Sequence, residues 1–437
     1  MRTLAVTYLA GGAGVALWFF LAARRRAGRL RPGDFVLALG LAGLACRLAF
    51  ALLTPTFKAP DEHSHLNFIR YVDANDGELP VQEQLRRLTP GENNWEYHQP
   101  PLYYALMVPF HRLLHGTMGL KTDAIVRGLR LASVAIWILV LLQTVRLLER
   151  LGLLASLQGA CTLALVCLLP TYVFISSVVN NDGLLVLVSV VAFNLLVRAE
   201  SNRDFAMVGV VVGLAIWAKQ NGVVLGAAAA GMLLMRVFTR ETPLRRAAVQ
   251  LAIVTAASLV AWAPVAIRNI LLYGSVTGGG YYYAYLCDQW TLPQVVSYLI
   301  KTFLATSGEL NDIVGAPPKI TVGLTLAFCA MLAGALVVRN ETLLSALRAN
   351  RCFLWGGFLA TLFCLLIVVQ IAMVSGTGQG RHMFPVLVPI GMLVAAGLDV
   401  LRRPNRLPNL DVHIAGVMAV MAFAFTAYSL ATLGEAP

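Results

Sequence analysis

The sequence predicts an all-α membrane protein that crosses the bilayer many times. Hydrophobic residues make up 58% of the 437 residues, and charged residues make up only 13%. Apolar runs of about 20 residues recur along the chain, and each is long enough as a helix to cross about 30 Å of hydrocarbon. Helices are expected because lipid offers no hydrogen-bonding partners to the backbone. A single integral-membrane domain over residues 1–437 is therefore the simplest organisation.

About twelve membrane-spanning helices are predicted from these runs. They cover residues 3–23, 35–53, 128–146, 155–175, 183–198, 205–218, 222–238, 247–267, 321–338, 352–373, 383–401 and 411–432. The first helix is predicted to be retained, because its arginines follow the apolar run, whereas a cleaved signal peptide carries them before it. Residues 3–34 are thus interpreted as an extra N-terminal helix and a basic loop.

The basic residues are concentrated in the short loops that follow every second predicted helix. Six such loops hold 19 of the 34 Lys and Arg residues: 24–34, 146–154, 198–204, 236–246, 339–351 and 402–406. The two long loops, 54–127 and 268–320, carry nearly balanced charge. The positive-inside rule places the short basic loops in the cytoplasm and the long loops outside it. The net charge of +12 is therefore a topology signal, and it gives no reason to expect a nucleic-acid partner.

The first long loop opens with the densest ionisable cluster of the chain, residues 59–65 (APDEHSH). A proline followed by two acids predicts a helix start, here over residues 60–72. In such a helix Asp61, Glu62 and His65 converge on one small volume. Charged groups at a membrane exit usually serve a site. The alternative is that the acids merely complement the helix dipole.

A second motif of the same loop is WEYHQPPLYY, residues 95–104. Its proline pair stops one helix and can start the next, and the apolar run 102–114 that follows is too short to span the bilayer. We predict a helix that lies in the membrane interface there, and a second one over residues 291–304. His98 is a candidate site residue, although the interface by itself favours such hydrogen-bonding and aromatic side chains.

Cations that can hold an anion are predicted at three helix ends. Lys219 follows a predicted span of only 14 residues, which is about 21 Å of helix. It is therefore expected to lie below the headgroups, where a bound phosphate would offset its charge. The alternative is that the Lys219 side chain snorkels to the interface. Arg381 follows three glycines, which allow backbone amides to approach an anion. Arg268 lies just outside a span, and both arginines can instead be helix-end anchors. Arg47, inside the second span, is expected to snorkel.

A metal site is allowed by the sequence but not required. Asp61 and His65 are suitably spaced for a divalent ion, yet no third ligand follows from the sequence. The seven cysteines show neither disulfide nor metal spacing. No other cofactor is expected.

The order of these motifs resembles that of the bacterial GT-C glycosyltransferases. The resemblance rests on Pro-Asp-Glu after the first core helix and on the HQPPLYY segment of the same loop. Further matching segments are residues 180–183 (NNDG), 218–222 (AKQNG), 268–274 (RNILLYG) and 379–385 (QGRHMFP). The likeness is closest to the protein-mannosyltransferase and aminoarabinose-transferase branch. The extra N-terminal helix departs from the usual plan of that class.

The resemblance implies transfer of a sugar from a polyprenyl-phosphate donor to an acceptor hydroxyl on a glycan, lipid or protein. It places the reaction on the extracytoplasmic face of the bacterial inner membrane. Asp61 is expected to be the general base of an inverting single displacement, with Glu62 beside it. The predicted substrate contacts are His65, His98, Gln99, Tyr103, Lys219, Arg268 and Arg381. The alternatives are a membrane glycan ligase or polymerase with a lipid-diphosphate donor, and a transporter, which the outer-edge position of the ionisable groups disfavours.

Overall fold

The computed structural model describes residues 2–81, 95–278, 291–308, 314–315, 350–375, 378–398 and 409–435. Nearly all of these residues are helical, as predicted, and within them only Thr306–Ser307 and Val314–Gly315 pair as short antiparallel strands. In their described residues, eleven of the twelve predicted spans fall on helices and 3₁₀ turns, and one of them, 155–175, is divided into two short helices. The twelfth, 321–338, lies outside the described residues. Seven helices in the described ranges are long and apolar enough to cross a membrane.

The helices are numbered here in chain order. They are α1 (Arg2–Arg26), α2 (Pro32–Leu53), α3 (Glu62–Ala74), α4 (Leu102–Arg112), α5 (Thr122–Arg150), α6 (Leu157–Leu168), α7 (Pro170–Ile175), α8 (Asp182–Arg198), α9 (Asn202–Ala218), α10 (Val224–Phe238), α11 (Leu244–Tyr273), α12 (Leu292–Leu304), α13 (Arg351–Ser375), α14 (Leu387–Leu398) and α15 (Leu410–Glu435). Short 3₁₀ turns occur at Trp95–His98, Gln220–Val223 and Gly380–Val386, and a π turn at Leu113–Thr117 extends α4.

The bundle is held by close helix packing and by polar contacts at the helix ends. Helix α9 approaches α11 through Gly209, where a Cβ atom would lie only 2.5 Å from the carbonyl oxygen of Val254. Small residues let two helix backbones approach closely, and such close packing is needed because no hydrophobic force drives helices together in lipid. The extra N-terminal helix α1 packs along α15, with Trp18 Nε1 donating to His413 Nδ1 at 3.2 Å.

The loops that are predicted to share a membrane face contact one another. At one end of the bundle lie arginines of the short basic loops, with Arg351 paired to Glu241 at 2.9 Å and Arg236 donating to the Ala199 carbonyl at 2.7 Å. The first long loop lies at the opposite end, where Arg268 of α11 donates to its Pro80 carbonyl at 2.6 Å. The structure is therefore that of a multi-pass membrane protein with a basic end and a second end that carries the motifs.

The two predicted helices of the first long loop are present, with shifted ends. Helix α3 begins at Glu62 and not at Pro60, because Asp61 has a left-handed backbone (φ 58°, ψ 7°) that a right-handed helix cannot include. Helix α4 has the two-sided character of an interfacial helix, since it exposes Leu106 and Phe110 and buries Tyr103 and Tyr104.

The prediction that Arg47 snorkels is wrong, because its side chain is fully buried. Its guanidinium donates to the carbonyl oxygens of Cys167 at 2.7 Å and Val166 at 3.1 Å, and its Nε donates to Ser176 Oγ at 2.8 Å. The break between α6 and α7 frees these carbonyls, since Pro170 has no N–H to offer Val166. Arg47 therefore caps carbonyls of the helix break before the short helix α7 and also contacts Ser176 at the end of α7.

Candidate active site

Ionisable side chains from five separated segments meet at the end of the bundle that carries the motifs. They are Asp61 and His65 at the start of α3, Glu96 of the first 3₁₀ turn, Asp182 at the start of α8, Lys219 after α9, and Arg381 with His382 of the last 3₁₀ turn. The charges of these groups act on one another across the cluster. The structure thus brings together the predicted acid Asp61 and the predicted cations Lys219 and Arg381.

The first pair of the cluster is Asp61 with Arg381. Arg381 Nη2 donates to Asp61 Oδ2 at 2.7 Å, and the side chains are 7% and 26% exposed. Burial raises the pKa of Asp61, but the charge and hydrogen bond of Arg381, helped by the charge of Lys219, outweigh burial and leave it below its ordinary value. Asp61 is therefore an ionised carboxylate, and its left-handed backbone is a local feature of the kind that clusters at functional sites.

The second pair is Lys219 with Asp182. Lys219 ends α9 in an extended conformation (φ −163°, ψ 144°), and its Nζ donates to Asp182 Oδ1 at 2.6 Å. Both residues are buried, so the snorkelling alternative does not describe Lys219. The turn folds back tightly at Gly222, where a Cβ atom would collide with the Ala215 backbone. The ammonium, expected to need a phosphate, is thus already neutralised by a carboxylate.

Glu62 faces away from Asp61, although the two residues are neighbours in the sequence. Arg130 of α5 donates to both Glu62 oxygens, from Nε at 2.8 Å and from Nη2 at 2.6 Å, and neither side chain is exposed. The backbone N–H groups of Phe57 and Val179 also donate to this carboxylate, at 3.1 and 3.2 Å. Sequence reasoning missed Arg130. The feature that could have indicated it is the presence of an arginine within the predicted span 128–146.

His65 lies on the inner face of α3 and bonds to the second motif. Its Nδ1 is 2.9 Å from the Tyr104 hydroxyl, and the ring of Tyr104 stacks on Phe68 with 3.7 Å between ring centroids. Burial lowers the pKa of His65 to about 3, so the imidazole is neutral. The convergence that was predicted for Asp61, Glu62 and His65 therefore holds for Asp61 and His65 and is wrong for Glu62.

The other residues of the second motif reach the turn that precedes α8. The Tyr103 hydroxyl accepts a hydrogen bond from the Asn180 N–H at 3.1 Å. Gln99 Oε1 lies 3.5 Å from Asn181 Nδ2, and His98 is buried. Gln99 and Tyr103 thus hold the first long loop against residues 180–182.

Glu96 is a member of the cluster that sequence reasoning did not single out. Burial and the negative charge of Asp61 raise the pKa of Glu96 to about 8, so it is protonated at neutral pH. The feature that could have indicated Glu96 is its position in the WEYH segment, two residues before His98. Arg268, in contrast, bonds to the Pro80 carbonyl, and its predicted role in substrate binding stays a prediction.

Two openings lie on neighbouring parts of helix α12, and Arg381 lines the first of them. A narrow cleft is lined by Pro60, Thr171, Thr302 and Ser307 together with Arg381 itself. A larger apolar cavity of about 310 Å³ runs between α6, α12, α14 and α15. The two openings meet at α12, whose Thr302 lines the cleft and accepts the Gly380 N–H at 2.6 Å, while the next two residues line the cavity.

Within the described part of the chain, no group of three His, Cys, Asp or Glu side chains is placed to hold a metal ion. The two sequence candidates, Asp61 and His65, are engaged by Arg381 and Tyr104. The divalent ion that the sequence allows stays a prediction.

One family profile and two solved structures are similar to this chain. The profile of the dolichyl-phosphate-mannose-protein mannosyltransferase family matches residues 98–267, which is less than half of the chain. No curated protein sequence matches. Two crystal structures of ArnT from Cupriavidus metallidurans, one bound to undecaprenyl phosphate and one in the apo state, have TM-scores of 0.55 and 0.57. Identity is 15% in both, and the match covers 91% of this chain and 77% and 76% of ArnT.

The fold is therefore that of ArnT, and the family profile extends from His98 of the second motif to Ile267 of α11. Together they identify the chain as an integral-membrane glycosyltransferase of the GT-C type. The resemblance that the motifs indicated is confirmed.

Proposed function

We propose that this enzyme transfers a sugar from a polyprenyl-phosphate donor to an acceptor hydroxyl, with Asp61 as the general base. The observation that carries the proposal is the contact of Asp61 with Arg381, which puts a base and a phosphate-binding group in one buried site. The similar structure of ArnT bound to undecaprenyl phosphate supports a donor of this chemistry. The predicted topology supports an extracytoplasmic reaction at the bacterial inner membrane.

The donor phosphate is assigned to Arg381. Its Nε and Nη1 are buried and have no hydrogen-bond partner within the described residues, although guanidinium donors at such a depth are normally satisfied. A planar guanidinium suits an oxygen-rich anion because it can donate two parallel hydrogen bonds. The apolar cavity along α12 begins next to this turn, and its lining suits the polyprenyl chain.

The reaction is proposed to be a single displacement. Asp61 takes the proton of the acceptor hydroxyl while the hydroxyl oxygen bonds to the anomeric carbon. The bond from that carbon to the phosphate oxygen breaks, and the lipid phosphate leaves with the electron pair. Attack opposite the leaving group inverts the anomeric centre. Arg381 stabilises the negative charge that develops on the phosphate.

The contact between Asp61 and Arg381 also links donor binding to the strength of the base. In the structure the arginine keeps the pKa of Asp61 low, which makes the carboxylate ionised but weakly basic. A donor phosphate would accept hydrogen bonds from the same guanidinium and so weaken its hold on Asp61. The pKa of Asp61 would then rise toward a range that suits proton abstraction. Glu62 is proposed to position Asp61, since Arg130 and two backbone N–H groups occupy both of its oxygens.

The test uses purified enzyme, radiolabelled polyprenyl-phosphate sugars and a panel of glycan, lipid and protein acceptors. Asp61→Asn is expected to lower the transfer rate by about 10²–10⁴-fold, the usual contribution of a general base. The matched control is Asp76→Asn, which changes an exposed acid of the same segment that also has a left-handed backbone (φ 50°). Full transfer by Asp61→Asn would refute the assignment. Transfer from a lipid diphosphate but not from the monophosphate would favour the ligase or polymerase alternative.

A further inference from the structure

We propose that the turn formed by Asn180, Asn181 and Asp182 binds the sugar of the donor, at a position distinct from the phosphate. The inference rests on the proposed function, because it takes a polyprenyl-phosphate sugar as the ligand. It adds a sugar subsite to that function and names the side chains that recognise sugar hydroxyls.

The turn carries three buried polar atoms that lack a hydrogen-bond partner within the described residues. They are Asn180 Nδ2, Asn181 Oδ1 and Asp182 Oδ2, on residues that are at most 2% exposed. Polar atoms at this depth are nearly always paired, because each loses its bonds to water on burial. Three orphans on successive residues therefore indicate a missing ligand.

The turn is rigidly built, so these orphans are not the result of a loose segment. Asn180 Oδ1 accepts the Asp182 N–H at 2.6 Å, and the Asn180 N–H is bonded to Tyr103. Lys219 holds the other oxygen of Asp182. The side chains are thus fixed from two sides, by the second motif and by the end of α9.

The turn also lies beside the catalytic groups. Asp182 and Arg381 act electrostatically on each other, and helix α8, which Asp182 begins, contacts the 3₁₀ turn of Arg381. Asp61 and Asp182 both act on Glu96 and on His65. A phosphate held by Arg381 therefore places the group attached to it next to residues 180–182.

The chemistry of the orphans selects the class of ligand. Asn181 Oδ1 and the ionised Asp182 Oδ2 are acceptors, and they need donors from the ligand. An ionised phosphate diester has no donor, and a polyprenyl chain has no polar atom at all. Sugar hydroxyls donate and accept, so neighbouring hydroxyls can satisfy the two acceptors and the Asn180 amide donor together. Of the three parts of a polyprenyl-phosphate sugar, only the sugar meets this requirement.

The deciding experiment compares two lipids, undecaprenyl phosphate and the same lipid carrying mannose or aminoarabinose, whichever of the two sugars the wild-type enzyme transfers. Asp182→Asn keeps an oxygen for Lys219 and replaces the orphan acceptor by an NH₂ group. We expect its affinity for the sugar-bearing lipid to fall by roughly tenfold or more, the effect of an unpaired buried group. Its affinity for undecaprenyl phosphate is expected not to fall, because no phosphate contact has been removed.

Asn181→Ala is a second variant, which removes the other acceptor without changing a charge. Its affinity for the sugar-bearing lipid is again expected to fall, and its affinity for undecaprenyl phosphate is not. Asn75→Ala, at an exposed asparagine after α3, is the matched control and should bind both lipids as the wild type does. Arg381→Gln is expected to weaken both lipids. Thermal unfolding of each variant shows whether it is folded.

Equal loss for both lipids, or no loss for either, would overturn the sugar subsite while leaving the proposed function intact. A raised KM for the acceptor with unchanged donor affinity would move the subsite to the acceptor and also overturn the proposal. Failure of the wild-type enzyme to bind either lipid would refute the proposed function, and with it the subsite.

Discussion

Replacing Glu62 by Gln separates a structural role of this residue from a catalytic one. Glu62 accepts four hydrogen bonds, two of them from Arg130, and both side chains are fully buried. A glutamine keeps one acceptor oxygen, points an NH₂ group at donors, and leaves the Arg130 charge without a counter-ion. Removing one partner of a buried pair usually costs about 3–5 kcal/mol. We therefore expect a large loss of stability, together with lower activity because Asp61 is displaced.

The assay is thermal unfolding in detergent, followed by transfer measured on the fraction that stays folded. Glu241→Gln is the control, since it breaks an exposed pair with Arg351 and should cost at most about 1 kcal/mol. The double variant Glu62→Gln/Arg130→Gln should lose less stability than the two single variants added together, because it leaves no orphaned charge. A Glu62→Gln enzyme as stable as the wild type yet inactive would refute the structural reading and restore Glu62 as a catalytic residue.

Two further predictions concern the same cluster. The pKa of Glu96 is raised to about 8, so its carboxyl is neutral below that pH and ionises as the pH rises through it. The new negative charge beside Asp61 and Arg381 should weaken donor binding, so transfer should decline above about pH 8, and Glu96→Gln should abolish the decline in a pH profile. Gly380→Ala should lower transfer strongly, because its Cβ would collide with the Leu299 and Phe303 backbone of α12 and displace Arg381. Gly226→Ala, where a Cβ meets nothing within 4 Å, should leave transfer unchanged.

The helices were largely predictable because membrane spans depend on local composition. A run of apolar residues specifies a helix wherever it is placed in lipid, and the ends of the described helices mostly agree with the apolar runs. The start of α3 was missed because the local sequence does not indicate the left-handed backbone of Asp61, whose side chain is paired with Arg381, 320 residues away. The role of Arg47 was missed for the same kind of reason, since the carbonyls that it caps belong to a helix break more than 100 residues later.

Part of the site was predictable as a set of residues, but the pairs that these residues form were not. Helical spacing brought Asp61 and Glu62 together, yet the structure assigns them to different arginines, because a buried carboxylate needs its own counter-charge. The motifs likewise included both Asp182 and Lys219 but did not indicate that these two residues, 37 positions apart, form a pair. Spacing along a helix reports only neighbours within four residues. Pairing across a bundle depends on how the helices pack.

These pairings have a consequence for how the enzyme accepts a charged donor. Asp61 and Asp182 balance Arg381 and Lys219, and Glu96 is neutral, so the resting cluster has no net charge. A phosphate adds negative charge to a buried volume, where an unbalanced charge is costly. The proton on Glu96 limits that cost, because an ionised Glu96 would add a further negative charge beside the phosphate. The free donor groups of Arg381 supply the hydrogen bonds that the phosphate needs. Donor binding and the protonation state of Glu96 are therefore expected to be linked.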